Sequence, residues 1–202
     1  MMYKIAAFIT FEKKLEKKII TQKLIVKKKF GDQIYLNHPV HLTLFTIKIN
    51  KISLLKKIYQ KIKRYKLFNS INVQTNKAGV FFNDPLTNGH TLYYSLKKNN
   101  LLMKAQLKHL KFINQNIVVE KNKNNFNDRT MNKNYKRYGF PFAGKIWVPH
   151  ITVSSIGKIK KNNIFIKRFL RSKINFKSSI KFIKFYRVIK DKHQYLFETN
   201  II

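Results

Sequence analysis

Two stretches of this chain hold side chains that could move protons at a phosphate. The first is Pro39-Val40-His41-Leu42-Thr43-Leu44-Phe45 and the second is Val148-Pro149-His150-Ile151-Thr152-Val153. Each alternates as a β-strand should, and side chains at i and i+2 of a strand leave the same face. His41 and Thr43 therefore point together, while Val40, Leu42 and Leu44 turn to the other side. Of the six histidines, only these two are followed at +2 by threonine with apolar residues at +1 and +3.

Cleaving a phosphodiester takes a base to activate the nucleophile and an acid to protonate the leaving oxygen, on opposite sides of phosphorus. An imidazole, with an ordinary pKa near ~6.5, fills either role at neutral pH. Threonine hydroxyls can donate to the non-bridging oxygens as charge builds on them. Two such strands, facing each other, would hold one phosphate between paired imidazoles and paired hydroxyls. The sequence calls for no metal and no cofactor. Carboxylates with ligand spacing are lacking, and there is no glycine-rich phosphate loop.

The elements that must position these motifs can be read along the chain. Residues up to Phe11 form a first strand, and Glu12 to Phe30 a helix with Leu15, Ile19, Ile20 and Leu24 as its apolar stripe. Its acids come early, Lys27-Lys28-Lys29 come late, and Gly31 stops it. Tyr35 to Ile49 contains the first histidine strand. A second helix comes after it, with Ser53 as its cap. Strands are expected near Ile71–Phe82, with a bulge at Gly79, and at His90–Leu96. A helix at Asn100–Asn114 and a short strand at Ile117–Glu120 come next. Lys121 to Tyr138, rich in Asn, Lys and Arg and nearly free of aliphatics, reads as a mobile basic loop. The second histidine strand then leads to a short helix near Asn162–Arg171 and strands at Ile180–Ile189 and Gln194–Thr199. Adjacent strands in runs point to an α+β domain of antiparallel sheets with outer helices. The 202 residues form a single domain, 1–202, whose halves each carry one His-x-Thr strand followed by a helix.

Composition narrows the setting. Lys and Arg number 43 against 8 Asp and Glu, a formal charge of +35, which attracts polyanions. Much of this is lysine spread through the chain, so it argues for a general field and against base-specific readout. The abundance of Lys, Asn, Ile and Phe is also what an AT-rich genome produces. The chain has no cysteine, which excludes disulfides, thiolate chemistry and sulfur-based zinc sites. No segment has the length and apolarity to span a membrane, and the start lacks a cleavage-type site. A cytoplasmic monomer is the expectation.

The paired motifs, His41-Leu42-Thr43 and His150-Ile151-Thr152, resemble those of the two-histidine phosphoesterase superfamily. That superfamily includes RNA 2′,3′-cyclic phosphodiesterases, historically called 2′-5′ RNA ligases. The resemblance is specific at the two motifs and extends to the order of elements. It implies a bilobal fold of two pseudo-symmetric lobes, with the motifs facing each other across a central cleft. It also implies metal-independent cleavage of a 2′,3′-cyclic or related phosphodiester, with RNA or a nucleotide as substrate. His41 would be the general acid, His150 the general base, and Thr43 and Thr152 the phosphate ligands. Which histidine takes which role depends on the bond that breaks.

One departure stands out. RNA-ligase-type members commonly place an arginine shortly after the second motif, where this chain has Ser154-Ser155-Ile156-Gly157. Lys158 or Arg137 are candidates for the missing cation. Phe45, Tyr138, Phe140 and Trp147 are candidates for stacking on a base, a contact worth ~1–3 kcal/mol. His38, His90, His109 and His193 read as structural or surface residues. A reading from another class keeps the fold as a basic RNA-binding module without turnover.

Overall fold

The computed structural model describes all residues except Met1, 63–69, Pro85, 121–125, Asn127, Lys158, Asp191 and Ile202. The chain folds as a mixed α+β structure. Its strands are β1 (Tyr3–Ile9), β2 (Leu42–Ile49), β3 (Ile71–Asp84), β4 (Gly89–Leu96), β5 (His150–Ile156), β6 (Lys177–Ile180), β7 (Phe182–Ile189) and β8 (Lys192–Asn200). Its helices are α1 (Lys13–Phe30), α2 (Ile52–Ile62), α3 (Asn100–Ile113), α4 (Arg129–Tyr138) and α5 (Ile164–Arg171).

The strands do not divide into the two sheets expected. They form one eight-stranded sheet in the order β6-β3-β4-β5-β2-β1-β7-β8, antiparallel at every pair and curled into a half-barrel. The two histidine strands, β5 and β2, are the central neighbours, with three strands beyond each. What joins the halves into one sheet is a single pair, Leu42↔Ile151. The two strands meet at their beginnings and run apart from there.

One face of this sheet is apolar and buried. Ile5, Ala7, Leu42, Leu44, Ile47, Leu92, Ile151 and Val153 lie within about 1 % exposure, against α1, α3 and the other helices. Burying that much aliphatic surface, at ~25 cal/mol per Å², is what holds the sheet to its helices. The opposite face carries His41, Thr43, His150 and Thr152. Rings on that face converge: Phe8 in β1 meets His193 in β8, two strands away, at 5.1 Å between centroids. Such convergence belongs to the concave side of a curled sheet.

Several local expectations change. Lys121 to Tyr138 is not a loop throughout, because Arg129–Tyr138 is helical. Asp128 caps it by accepting from the Met131 N–H, and Gly139 closes it in the left-handed conformation, φ 62°. Residues 121–125 and Asn127 of that stretch lie outside the described residues. Ser53 sits inside α2, which begins at Ile52. Ile117–Glu120 is no strand, but Ile117 makes an isolated bridge to Ile49. The short β6, pairing with the start of β3, had no clear signal.

Candidate functional site

The register of the central pair places the four motif side chains. Leu42 and Ile151 are paired antiparallel with their side chains buried. Stepping one residue outward sets His41 across from Thr152 and Thr43 across from His150, all on the concave face. Thus the register sets an imidazole and a hydroxyl from each strand on one face about the Leu42–Ile151 pair, related by an approximate local two-fold axis through it.

Both motifs are built by the same local devices. The His41 Nδ1–H donates to the Pro39 carbonyl at 2.7 Å, and the His150 Nδ1–H to the Val148 carbonyl at 2.7 Å. Each bond reaches back two residues, fixes the ring and leaves Nε2 as the nitrogen that can accept or give a proton. Each strand is also bulged just after its threonine. Pairing of β1 with β2 shifts between Phe8↔Thr43 and Ala7↔Phe45, and pairing of β4 with β5 shifts between Tyr93↔Thr152 and Leu92↔Ser154. A bulge re-aims the side chains that come after it. Phe45 consequently faces the core, against Phe185, and not the concave side with Thr43.

The surroundings of the two rings differ. Phe8 lies flat against His41, 3.7 Å between centroids with a 25° interplanar angle. His193 stands at 6.0 Å from His41, and His38 at 4.8 Å from His193. Around His150 the aromatics are edge-on, Phe81 and Tyr93 each at 5.1 Å. Phe81 and Tyr93 stack on one another at 4.2 Å, and Gly79 makes room for them, since a β-carbon there would overlap the Tyr93 ring. Asp84 lies near this half, held by the Thr91 hydroxyl at 2.6 Å and the Leu86 N–H at 3.0 Å.

These surroundings set the proton affinities. Both imidazoles keep some exposed surface yet are deeply surrounded by protein. For His41, burial pulls the pKa down to about 3, opposed by the Pro39 carbonyl and reinforced by His193, His38 and Lys23. His150 is also lowered by burial, but the Val148 carbonyl and Asp84 both pull it back up. Between the two, His150 is the easier to protonate. Lys23 is itself buried, with its pKa lowered to about 8 by that burial. Its ammonium donates to the carbonyls of Tyr35, Leu36 and His38 at 2.8, 3.3 and 2.6 Å, tying α1 to the segment that leads into His41.

The residues singled out for substrate contact fare less well. Phe45, Tyr138, Phe140 and Trp147 are all packed in the interior. Aromatics here are core before they are platforms. Arg137 lies on the exposed side of α4, over the Tyr138 ring, and lines a surface groove with Arg129, Lys133 and Lys136. Lys158 lies outside the described residues. In the stretch Ser154–Gly157 that lacks an arginine, the Ser155 hydroxyl is bonded to Thr87 at 2.6 Å. Sequence reasoning missed Phe8, Tyr93 and Asp84, which only register brings to the histidines, and Gly79, expected to mark a bulge, instead pairs in register with Tyr93. Among the described residues no group of three or more His, Asp or Glu is arranged to hold a metal ion, and no helix is long and apolar enough to cross a membrane.

No family model matches the sequence, and no curated protein matches it significantly. Solved structures do match in shape. E. coli LigT complexed with NADP+ superposes with a TM-score of 0.58 at 11% identity, covering 100% of this chain and 99% of that one. TT0787 of Thermus thermophilus gives 0.64 at 10% identity, covering 98% and 97%. A structure described as a phosphoesterase gives 0.58 at 10% identity, covering 100% and 99%. The chain thus shares its fold with LigT, TT0787 and this phosphoesterase over 98–100% of its length.

Proposed function

We propose that the protein is a metal-independent phosphodiesterase. It opens a 2′,3′-cyclic phosphate at an RNA end, or a related cyclic or 2′-5′-linked nucleotide. The observation that carries this reading is the antiparallel register, which puts two identically tethered imidazoles and two hydroxyls on the same face of two neighbouring strands. LigT, similar in fold, has been crystallised with NADP+, with 3′-AMP and with ATP.

In the proposed reaction, Thr43 and Thr152 donate to the non-bridging oxygens. One Nε2 takes a proton from water as it attacks phosphorus, and the other Nε2 gives a proton to the departing ribose oxygen. The resemblance assigns His150 to the first step and His41 to the second. Burial leaves both imidazoles neutral at pH 7, so either can serve as the base, and the easier protonation of His150 taken alone favours the reverse assignment. His41 has to gain a proton first, and an anion bound beside it favours that.

The test is hydrolysis of a 2′,3′-cyclic-phosphate oligonucleotide in EDTA. Turnover that survives chelation and disappears in both His41→Ala and His150→Ala is the expected result. Binding without turnover, across RNA ends, cyclic mononucleotides and 2′-5′ oligoadenylates, would instead make this a non-catalytic RNA-binding module on the same fold.

A further inference from the structure

The concave face is unlike at its two ends, and the difference says which way a substrate lies. Beyond His150 stands Asp84, a fixed carboxylate. Beyond His41 stand two more imidazoles, His38 from the lead-in segment and His193 from β8, with Tyr35 edge-on to His38 at 5.2 Å and Tyr186 near His193 at 6.3 Å. His38 and His193 are each half-buried, so both keep surface that a small ligand can reach. Their mutual contact is edge to face at 87°, which sets the two rings at right angles about one corner.

We propose that His38 and His193 form a second phosphate subsite beside His41. It takes the phosphate adjoining the scissile one, so that the preferred substrate is an oligonucleotide end and not a lone cyclic mononucleotide. This rests on the phosphodiesterase reading above. Each imidazole brings an N–H donor when neutral and a charge when protonated. Asp84 repels a phosphate at the opposite end, so the chain is held in one direction. A second phosphate also supplies what His41 lacks. Burial above all, with His193, His38 and Lys23 adding to it, holds His41 neutral; an anion bound at this corner offsets the neighbours' share of that effect and favours the protonated form that a general acid must carry.

Other ionisable groups near this corner have to be counted. Glu16, Lys23 and Lys27 of α1 line the groove that reaches His38. On the far side Glu198 and Tyr195 act on Tyr186, which neighbours His193. Of these groups Lys23 acts directly on His41, lowering its proton affinity.

The experiment compares a cyclic-phosphate mononucleotide with a dinucleotide carrying one added internucleotide phosphate. Native protein and the variants His193→Phe and His38→Phe, which keep the aromatic contacts, are assayed from pH 5.5 to 8. The expected result is a higher kcat/KM for the dinucleotide in the native protein, growing as pH falls. Both variants lose that preference while still hydrolysing the mononucleotide. Equal kcat/KM for the two substrates in the native protein would overturn the subsite, as would a preference that survives both variants. If neither substrate is hydrolysed by the native protein, the phosphodiesterase reading itself fails. In that case equilibrium binding of the same two ligands still decides the subsite, by whether the extra phosphate adds affinity that His193→Phe removes.

Discussion

The two halves of the concave face use one set of backbone devices in two electrostatic settings. In both, a histidine gives its Nδ1–H to the carbonyl two residues back, a threonine follows at +2, and a bulge comes next. In one half the ring is stacked flat on Phe8 among other imidazoles and Lys23. In the other it meets two aromatic edges and feels Asp84. The lesson is that geometry here is symmetric while proton affinity is not. A pair of chemically equal residues can thus be given unequal jobs without moving either one.

The harshest way to break this comparison is to remove each histidine. His41→Ala and His150→Ala should each lower kcat by about 10²–10⁴-fold, the span of general acid–base catalysis, measured on an oligonucleotide with a cyclic phosphate end. A large loss in only one would mean that a single half does the chemistry. Next come the hydroxyls. Thr43→Val and Thr152→Val should each cost roughly 10²-fold in kcat, somewhat below the loss of a full oxyanion donor. If both leave kcat intact, the threonines do not touch the phosphate.

A smaller effect tests the second half alone. Gly79→Ala pushes the Tyr93 ring from its place beside His150, so kcat should fall by less than in Thr152→Val, with KM rising little. Asp84→Asn then sharpens the electrostatic contrast. Asp84 raises the pKa of His150, so removing its charge lowers that pKa. With His150 as the base, the acid-side limb of the kcat/KM profile moves to lower pH. Movement of the alkaline limb would show His150 to be the acid.

The last prediction leaves activity at neutral pH untouched. His109 is fully buried against Tyr59, 2.9 Å from its hydroxyl, and burial lowers its pKa to about 3. The unfolded chain takes up a proton near the ordinary value of ~6.5. The stability this site contributes is therefore complete above ~6.5 and is lost as pH falls toward about 3. Thermal melts from pH 7 to 4 should show the decline, and His109→Gln should flatten it.

How much of this was legible in the sequence depends on which forces are local. α1 ends where Gly31 takes φ 69°, and its acid-first, lysine-last charge order is printed in the chain. The motif strands were legible because an alternation of period two needs only neighbours. Phe45 was misplaced because a bulge breaks that period, and its cause lies in the pairing with Ala7, not in the local sequence. Helix α4 was hidden by composition: Asn, Lys and Arg obscured a start at Asp128 and a stop at Gly139 that were both present. The single sheet, and the placing of Phe8 and Asp84, depended on strand register across distant residues. No window of sequence contains that.

Behind the sheet, Gln106 ties the two halves together. Its side chain is wholly buried on α3, giving Nε2–H bonds to the carbonyls of Leu44 at 2.8 Å and Phe142 at 3.2 Å, and accepting from the Gly144 N–H at 2.8 Å. Leu44 comes just after the first motif, and residues 142–144 lead into the second. Where β2 and the approach to β5 would otherwise need a rung of backbone pairing, a side-chain carboxamide stands in for the peptide group. Three hydrogen bonds from one buried side chain thus fasten the strand of the first motif to the approach of the second, and Gln106→Leu would leave the Leu44, Phe142 and Gly144 backbone groups without that partner.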